Sequence, residues 1–202
     1  VPCVIGAKEV YLPINSMTQG PDNTIYIGTG NDDHPYGTTY QKMFVKGMGI
    51  YRYNPVDVAF ELIPNTNNDN FKSVHVLDYV YDNGVFYLYA ATNSGLYRWR
   101  HVEGTNDWNQ TPTAVFNGRV DQLVISRVHN TAFFSSGNQL YRIGNVVAAA
   151  NQLNPVNISS TNTAFGGSNS CMKLAISQTD TTYLYAMVIK ANGMMDALYM
   201  TN

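Results

Sequence analysis

Residues 85–101 read VFYLYAATNSGLYRWRH: seven consecutive apolar or aromatic positions, a Thr-Asn-Ser-Gly break, and a second run built on Leu96-Tyr97-Arg98-Trp99. Aromatic-rich runs of this length bounded by Asn, Ser and Gly read as two strands joined by a tight turn. A strand that is apolar at consecutive positions buries both of its faces, so whatever sheet holds this hairpin is covered on two sides. Working outward, the second run recurs as GIYRYNP around Tyr51, QLYRIGN around Tyr141 and ALYMTN around Tyr199, and the four tyrosines fall 46, 44 and 58 residues apart.

Each of these runs is preceded by another β-rich segment: 23–31, 85–93, 131–138 and 181–190. Upstream again lie 10–19, 74–83, 120–130 and 172–180, closed by PDN, DNG, HN and TDT turn chemistry. Weaker fourth strands follow the first three units at 59–64, 113–118 and 154–159. No convincing 3.6-residue apolar period is present, and the sole helix candidate is VVAAAN at 146–151. A four-stranded antiparallel meander recurring at this spacing is the blade of a β-propeller, whose sheets pack face to face around a channel. The expected fold is therefore all-β: one propeller domain or fragment over 1–202, with about four blades in units near 10–64, 74–118, 120–160 and 172–202.

The fourth unit breaks off after its third strand, and two completions fit. The N-terminal CVIGAK supplies the missing outer strand and closes a four-bladed ring, or the units form an arc of a larger propeller with further blades or domains in a longer parent chain. The inserts at 31–48 and 190–196, and a first residue that is Val and not Met, favour the arc.

Composition narrows the partners. Of 202 residues 45% are apolar, 12% aromatic and only 13% charged, with a net charge of -2. No basic stripe exists to hold nucleic acid or an anionic membrane surface, and no apolar window is long enough to insert into a bilayer. Asn, Thr, Ser and Tyr carry the polar surface, a composition that suits an exported protein. Cys3 and Cys171 are too few for a disulfide framework; small buried residues are expected, and one bridge between them is compatible with an oxidising compartment.

At GPDNTIYIGTGNDD, GMGIYRYNP and ATNSGLYRWRHVEGTNDWNQ the chain resembles the large propeller superfamily of sortilin-type receptors, sialidase-repeat proteins and xyloglucanase-type glycoside hydrolases. The resemblance covers all four units and is sharpest over 20–55 and 85–110. It implies a propeller and, because many such proteins are secreted bacterial modules, a secreted or cell-surface location. Two departures bear on activity. The sialidase-type turn S-x-D-x-G-x-T-W is missing, with only Asn106-Asp107-Trp108 hinting at it. In the xyloglucanase-type motif T-D-x-G-G-x-Y-R-W the Asp is one of two catalytic carboxylates, whereas this chain has Asn93 in that frame. An amide has no titratable proton to exchange, so Asn93 cannot act as a general acid or base.

Candidate site residues follow from the loops. Asp32 and Asp33 occupy the first unit's position corresponding to Asn93, and with His34, Tyr36 and Tyr40 they form the most polar and aromatic loop in the chain. Flat rings beside short polar groups are what a sugar-binding surface needs, so Asp32, Asp33, His34, Tyr36, Tyr40 and Asn93 are the expected binding residues. Asp78 and Asp121 lie on first strands, where a wet channel lining or a turn is expected of them. The oxygen-dense stretches 31–34 and 65–70 raise the question of Ca2+, but they hold too few carboxylates; no cofactor is expected. His34, His75, His101 and His129 lack zinc-ligand spacing. Arg52, Arg98 and Arg142 are expected to lie along the blade surface with their heads in water. The function expected is a non-catalytic propeller module of an exported or surface protein that binds carbohydrate or protein through its loops. The alternatives are part of a xyloglucanase-like or sialidase-like hydrolase, or a sortilin-like peptide receptor.

Overall fold

The structure, a computed structural model, describes residues 2–5, 8–11, 13–32, 44–54, 58–105, 107–159, 171–178, 183–190 and 192–200. It is all-β. A hairpin of β1 (Pro2–Ile5) and β2 (Lys8–Tyr11) comes first. Blade 1 follows with β3 (Ile14–Gln19) and β4 (Ile25–Thr29), then a short ribbon of β5 (Asn31–Asp32) and β6 (Phe44–Val45), then β7 (Ile50–Asn54) and β8 (Ala59–Leu62). Blade 2 is β9 (Val74–Asp82), β10 (Val85–Thr92), β11 (Gly95–Val102) and β12 (Thr113–Asn117). Blade 3 is β13 (Gln122–Ser126), β14 (Thr131–Ser136), β15 (Gln139–Ile143) and β16 (Val156–Asn157). Blade 4 has, among the described residues, three strands, β17 (Cys171–Ile176), β18 (Leu184–Ile189) and β19 (Met195–Met200).

Within each blade every neighbouring pair is antiparallel and sequential, so the blades are meanders. Turn chemistry sets them: the Asp82-Asn83-Gly84 turn between β9 and β10 places Asn83 at φ 48° and Gly84 at φ 80°, the left-handed pair that a tight hairpin requires. First strands of successive blades lie side by side, β3 against β9, β9 against β13 and β13 against β17.

The core consists of three layers between blades. Alternation along β10 shows why: Phe86, Leu88 and Ala90 point into the layer shared with blade 1, among Tyr26, Ile50, Phe71 and Val74. Tyr87, Tyr89 and Ala91 point into the layer shared with blade 3, among Leu123, Ile125, Ala132 and Phe134. Both sets are buried, which accounts for the unbroken apolar run. Leu140, Met172, Leu184 and Val188 form the third layer, between blades 3 and 4. Blades 1 and 2 meet so closely that a Cβ on Gly28 would lie 2.5 Å from Cγ1 of Val74. At both ends of the row apolar side chains are exposed: Met17 and Phe60 on blade 1, Met195, Leu198 and Met200 on blade 4.

Three expectations are corrected. VVAAAN does not form a helix; a 3-10 turn at Ala150–Gln152 is all that appears there, because the Val146 carbonyl is taken by Tyr89 and Arg98. CVIGAK does not close blade 4: Cys3, Val4 and Ile5 pair with Val10, Glu9 and Lys8 instead, and among the described residues β19 is bonded only to β18. A hairpin between neighbours in sequence closes a far shorter loop than a strand reaching across the chain. Arg98 does not keep its head in water. It is buried, donates from Nη1 to the carbonyls of Val146 (3.1 Å) and Ala148 (2.7 Å), and lies 5.1 Å over the Tyr87 ring. Arg52 and Arg142 behave as expected; Arg52 pairs with Glu61 and Arg142 is exposed.

Candidate binding site

Antiparallel blades bring the starts of their first strands, and the loops between second and third strands, to the same end of the row. There Asn15 of β3, His75 of β9, Gln122 of β13 and Cys171, Met172 and Lys173 of β17 converge, one contribution from each blade. With Asn31, Asp32, Arg119 and Asp121 they line a cleft of about 200 Å³. A polar or sulfur-bearing residue in the first two positions of each first strand marks this cleft. It becomes visible only once the four strands are superposed.

Asp32 is the hub. Its Oδ1 accepts from Ser73 Oγ (2.9 Å) and meets His75 Nε2 at 2.7 Å, while Oδ2 accepts from Arg119 Nη1. Arg119 also donates from Nε to Asp121 at 2.5 Å, and Asp121 accepts from the Gly137 amide at 3.0 Å. The network thus ties blade 1 through Asp32 to blade 2 through Ser73 and His75, and to blade 3 through Arg119 and Asp121. Burial pushes the Asp32 carboxyl upward, but the hydrogen bond and charge of His75, the charge of Arg119 and the Ser73 hydroxyl outweigh it and hold the carboxyl well below the usual range. Asp32 is therefore an ionised acceptor at neutral pH. His75 Nδ1 faces the Val120 carbonyl at 2.5 Å, so both ring nitrogens face oxygen atoms.

Backbone geometry delivers Asp32 to this position. Gly30 has φ 91°, and a Cβ there would lie 1.9 Å from the Lys72 carbonyl oxygen, so only glycine lets the segment turn against the connector that carries Ser73 and His75.

The other predicted positions fall as follows. Asp33, His34, Tyr36 and Tyr40 lie outside the described residues. Asn93 is not in the cleft; it follows β10, where its Oδ1 accepts from the Ser73 amide (3.1 Å) and its Nδ2 donates to the Asp69 carbonyl (3.4 Å). Asn93 thereby secures the connector that presents Ser73 to Asp32. Asp78 is a staple between blades 2 and 3: it accepts from the amides of Tyr79 (2.8 Å) and Ile125 (3.1 Å) and pairs with Arg127 at 2.5 Å. Burial raises the Asp78 carboxyl against the pull of Arg127 and the two amides. Residues 65–70 form a turn held by their own side chains, with Asn68 accepting from the Asn70 amide and donating to the Asn65 carbonyl. His75, Ser73 and Arg119 are the members of the network that sequence reasoning did not single out as site residues.

No protein-family model matches the chain, and no curated protein matches it in sequence. Solved structures do. An auxiliary nutrient binding protein from Bacteroides thetaiotaomicron superposes over 93% of this chain with a TM-score of 0.56 at 9% identity, covering 41% of that chain. A chain of the mitotic checkpoint complex superposes over 92% with a TM-score of 0.50 at 12% identity, covering 51% of that chain. The chain therefore spans about half the length of these proteins or less. At such identities the likeness is one of fold, and the neighbours are β-propeller-like. They support the propeller fold read from the repeats and do not show the sortilin, sialidase or xyloglucanase family. Among the described residues no helix is long and apolar enough to cross a membrane. What the comparisons and the repeat establish together is the architecture: an all-β propeller built of antiparallel blades.

Proposed function

We propose that this chain is a non-catalytic propeller module that binds a small hydroxylated ligand of the carbohydrate class in the cleft where the first strands begin. One observation carries the reading: four blades each place a polar or sulfur-bearing side chain on one cleft, and its two carboxylates, Asp32 and Asp121, are both engaged by Arg119. Inverting glycoside hydrolysis needs one carboxyl held protonated and another free to activate water across a cleft. Asp32 is held ionised and fully occupied, so it serves as a scaffold, while Asn15, Gln122 and Lys173 supply donors and acceptors for sugar hydroxyls. Asn31 and Asp32 line this cleft, and Asp33, His34, Tyr36 and Tyr40, which follow them in the sequence, are included in the proposed binding residues.

The nutrient-binding neighbour supports an exported or cell-surface role, and the apolar faces at both ends of the row support reading the four blades as an arc to which further blades are added. Titration calorimetry with a panel of neutral mono- and oligosaccharides tests the reading. At least one binds, and Gln122→Ala with Lys173→Ala weakens it about tenfold, as the loss of two hydrogen-bonding groups implies. No binding across the panel overturns the proposal. Release of reducing sugar that disappears in Asp32→Ala or Asp33→Ala would establish the hydrolase reading instead.

A further inference from the structure

A second cavity of about 210 Å³ opens at the opposite ends of β3 and β9, between blades 1 and 2, lined by Pro21, Asp22, Tyr26, Tyr81, Phe86, His101 and Glu103. Its walls are aromatic. Tyr26 stacks on Phe86 at 5.1 Å between ring centroids, and His101 stacks on Trp108 at 4.7 Å just behind. Its rim is acidic: Asp22 and Glu103 are both exposed, and Glu103 accepts from the Tyr81 hydroxyl at 2.5 Å. Among the described residues no lysine or arginine lines the cavity, and His101 is turned to Asp107 through Nδ1. Arg52, 5.9 Å above the Trp108 ring, is paired with Glu61.

Tyr26 gives an independent pointer. The residue is only 3% exposed overall and lines the cavity, so its hydroxyl is reached through that opening. A buried tyrosine ring that presents its hydroxyl to a cavity offers a donor that a ligand or water there completes. Burial, with the nearby Asp22 charge, pushes this phenol well above its usual range, so it remains a neutral donor and its ring a neutral π face.

From this geometry we infer that the cavity between blades 1 and 2 is a binding site for a small organic cation, an alkylated ammonium seated against the Tyr26 and Tyr81 rings, with Phe86, stacked between Tyr26 and Tyr79, as backing and Asp22 and Glu103 as its counter-charge. Ring faces attract cations through their quadrupole, the carboxylates supply the long-range field, and an alkylated ammonium loses little on leaving water because its methyl groups bury against the rings. A hydroxyl on such a ligand would meet the Tyr26 oxygen. The site is independent of the sugar cleft, which lies at the other ends of the same strands.

The test uses choline and its neutral carbon isostere 3,3-dimethylbutanol, each titrated into the 202-residue chain at pH 7.5 by calorimetry, with saturation-transfer NMR on the methyl groups. Choline binds, the isostere binds at least about tenfold more weakly, and Glu103→Gln with Asp22→Asn removes most of that difference. Tyr81→Ala, at an exposed position, weakens choline while the far-ultraviolet spectrum and melting temperature stay those of the parent. Equal binding of the two probes, no binding of choline into the tens of millimolar, or choline binding untouched by the charge-neutralising pair would each overturn the assignment.

Discussion

Replacing Asp32 by Asn removes one charge from the hub that links blades 1, 2 and 3 and leaves the shape of the side chain intact. Asp32 accepts from Ser73, His75 and Arg119, and because the acceptor is ionised all three are charge-assisted contacts. Hydrogen bonds of that kind contribute roughly 1.5–3 kcal/mol each. The gross figure shrinks because Arg119 is 30% and Asp32 16% exposed, so solvent screens the pair, and because the amide still accepts one bond. A net loss of about 2–3 kcal/mol at pH 7 follows, with a fall of about 5–10 °C in melting temperature for a chain of this length. The pH dependence has a definite sign. The carboxyl titrates near 4 in the unfolded chain and well below that in the folded protein, so its stabilisation is complete above about pH 4 and is lost as the pH falls towards the folded value. Urea unfolding of parent and variant, monitored by tryptophan fluorescence, should therefore show a gap that is constant from pH 7 to pH 5 and narrows by about 1 kcal/mol by pH 3. A cycle with Arg119→Met should show coupling between the two positions. A gap below about 0.5 kcal/mol at pH 7, or one that does not change between pH 7 and pH 3, would refute the idea that Asp32 is a charged clamp.

Other substitutions probe the frame around the site. Arg98→Ala strips the Ala148 carbonyl of the donor that Arg98 supplies and empties a buried volume beside Tyr87, and should cost about 3 kcal/mol in urea unfolding; Arg98→Met, which keeps the stem, should cost less. Gly28→Ala drives a methyl into Val74 across the closest approach of blades 1 and 2, and a loss of about 2 kcal/mol by the same assay is expected. Asn93→Asp restores the carboxylate of the hydrolase-type motif but sets it against the Asp69 carbonyl; it should cost about 1 kcal/mol or less and bring no release of reducing sugar from β-glucans.

The repeat was legible because a propeller blade is a local object. Its strands are sequential, its turns are written in Asn and Gly, and both faces of a strand such as 85–92 must be apolar if each is covered by a neighbouring blade. The loop starting at Asn31 was marked by its polar and aromatic density, and its described residues, Asn31 and Asp32, do line the cleft. Asn93 stood out through a motif frame, yet within the structure it holds the connector at Ser73.

Sequence by itself determined the class of architecture and the strand order within each blade, since periodicity and turn residues are properties of neighbours along the chain. Tertiary structure alone decided that Asp32, Ser73, His75, Arg119 and Asp121 form one network, that Arg98 is buried, and that Asp22 and Glu103 face each other across aromatic rings. Asp32 and Arg119, which bond directly, are separated by 87 positions, and such meetings depend on how blades stack and twist against one another. No local pattern encodes that stacking, because it is fixed by the side chains of two or three blades packing at once.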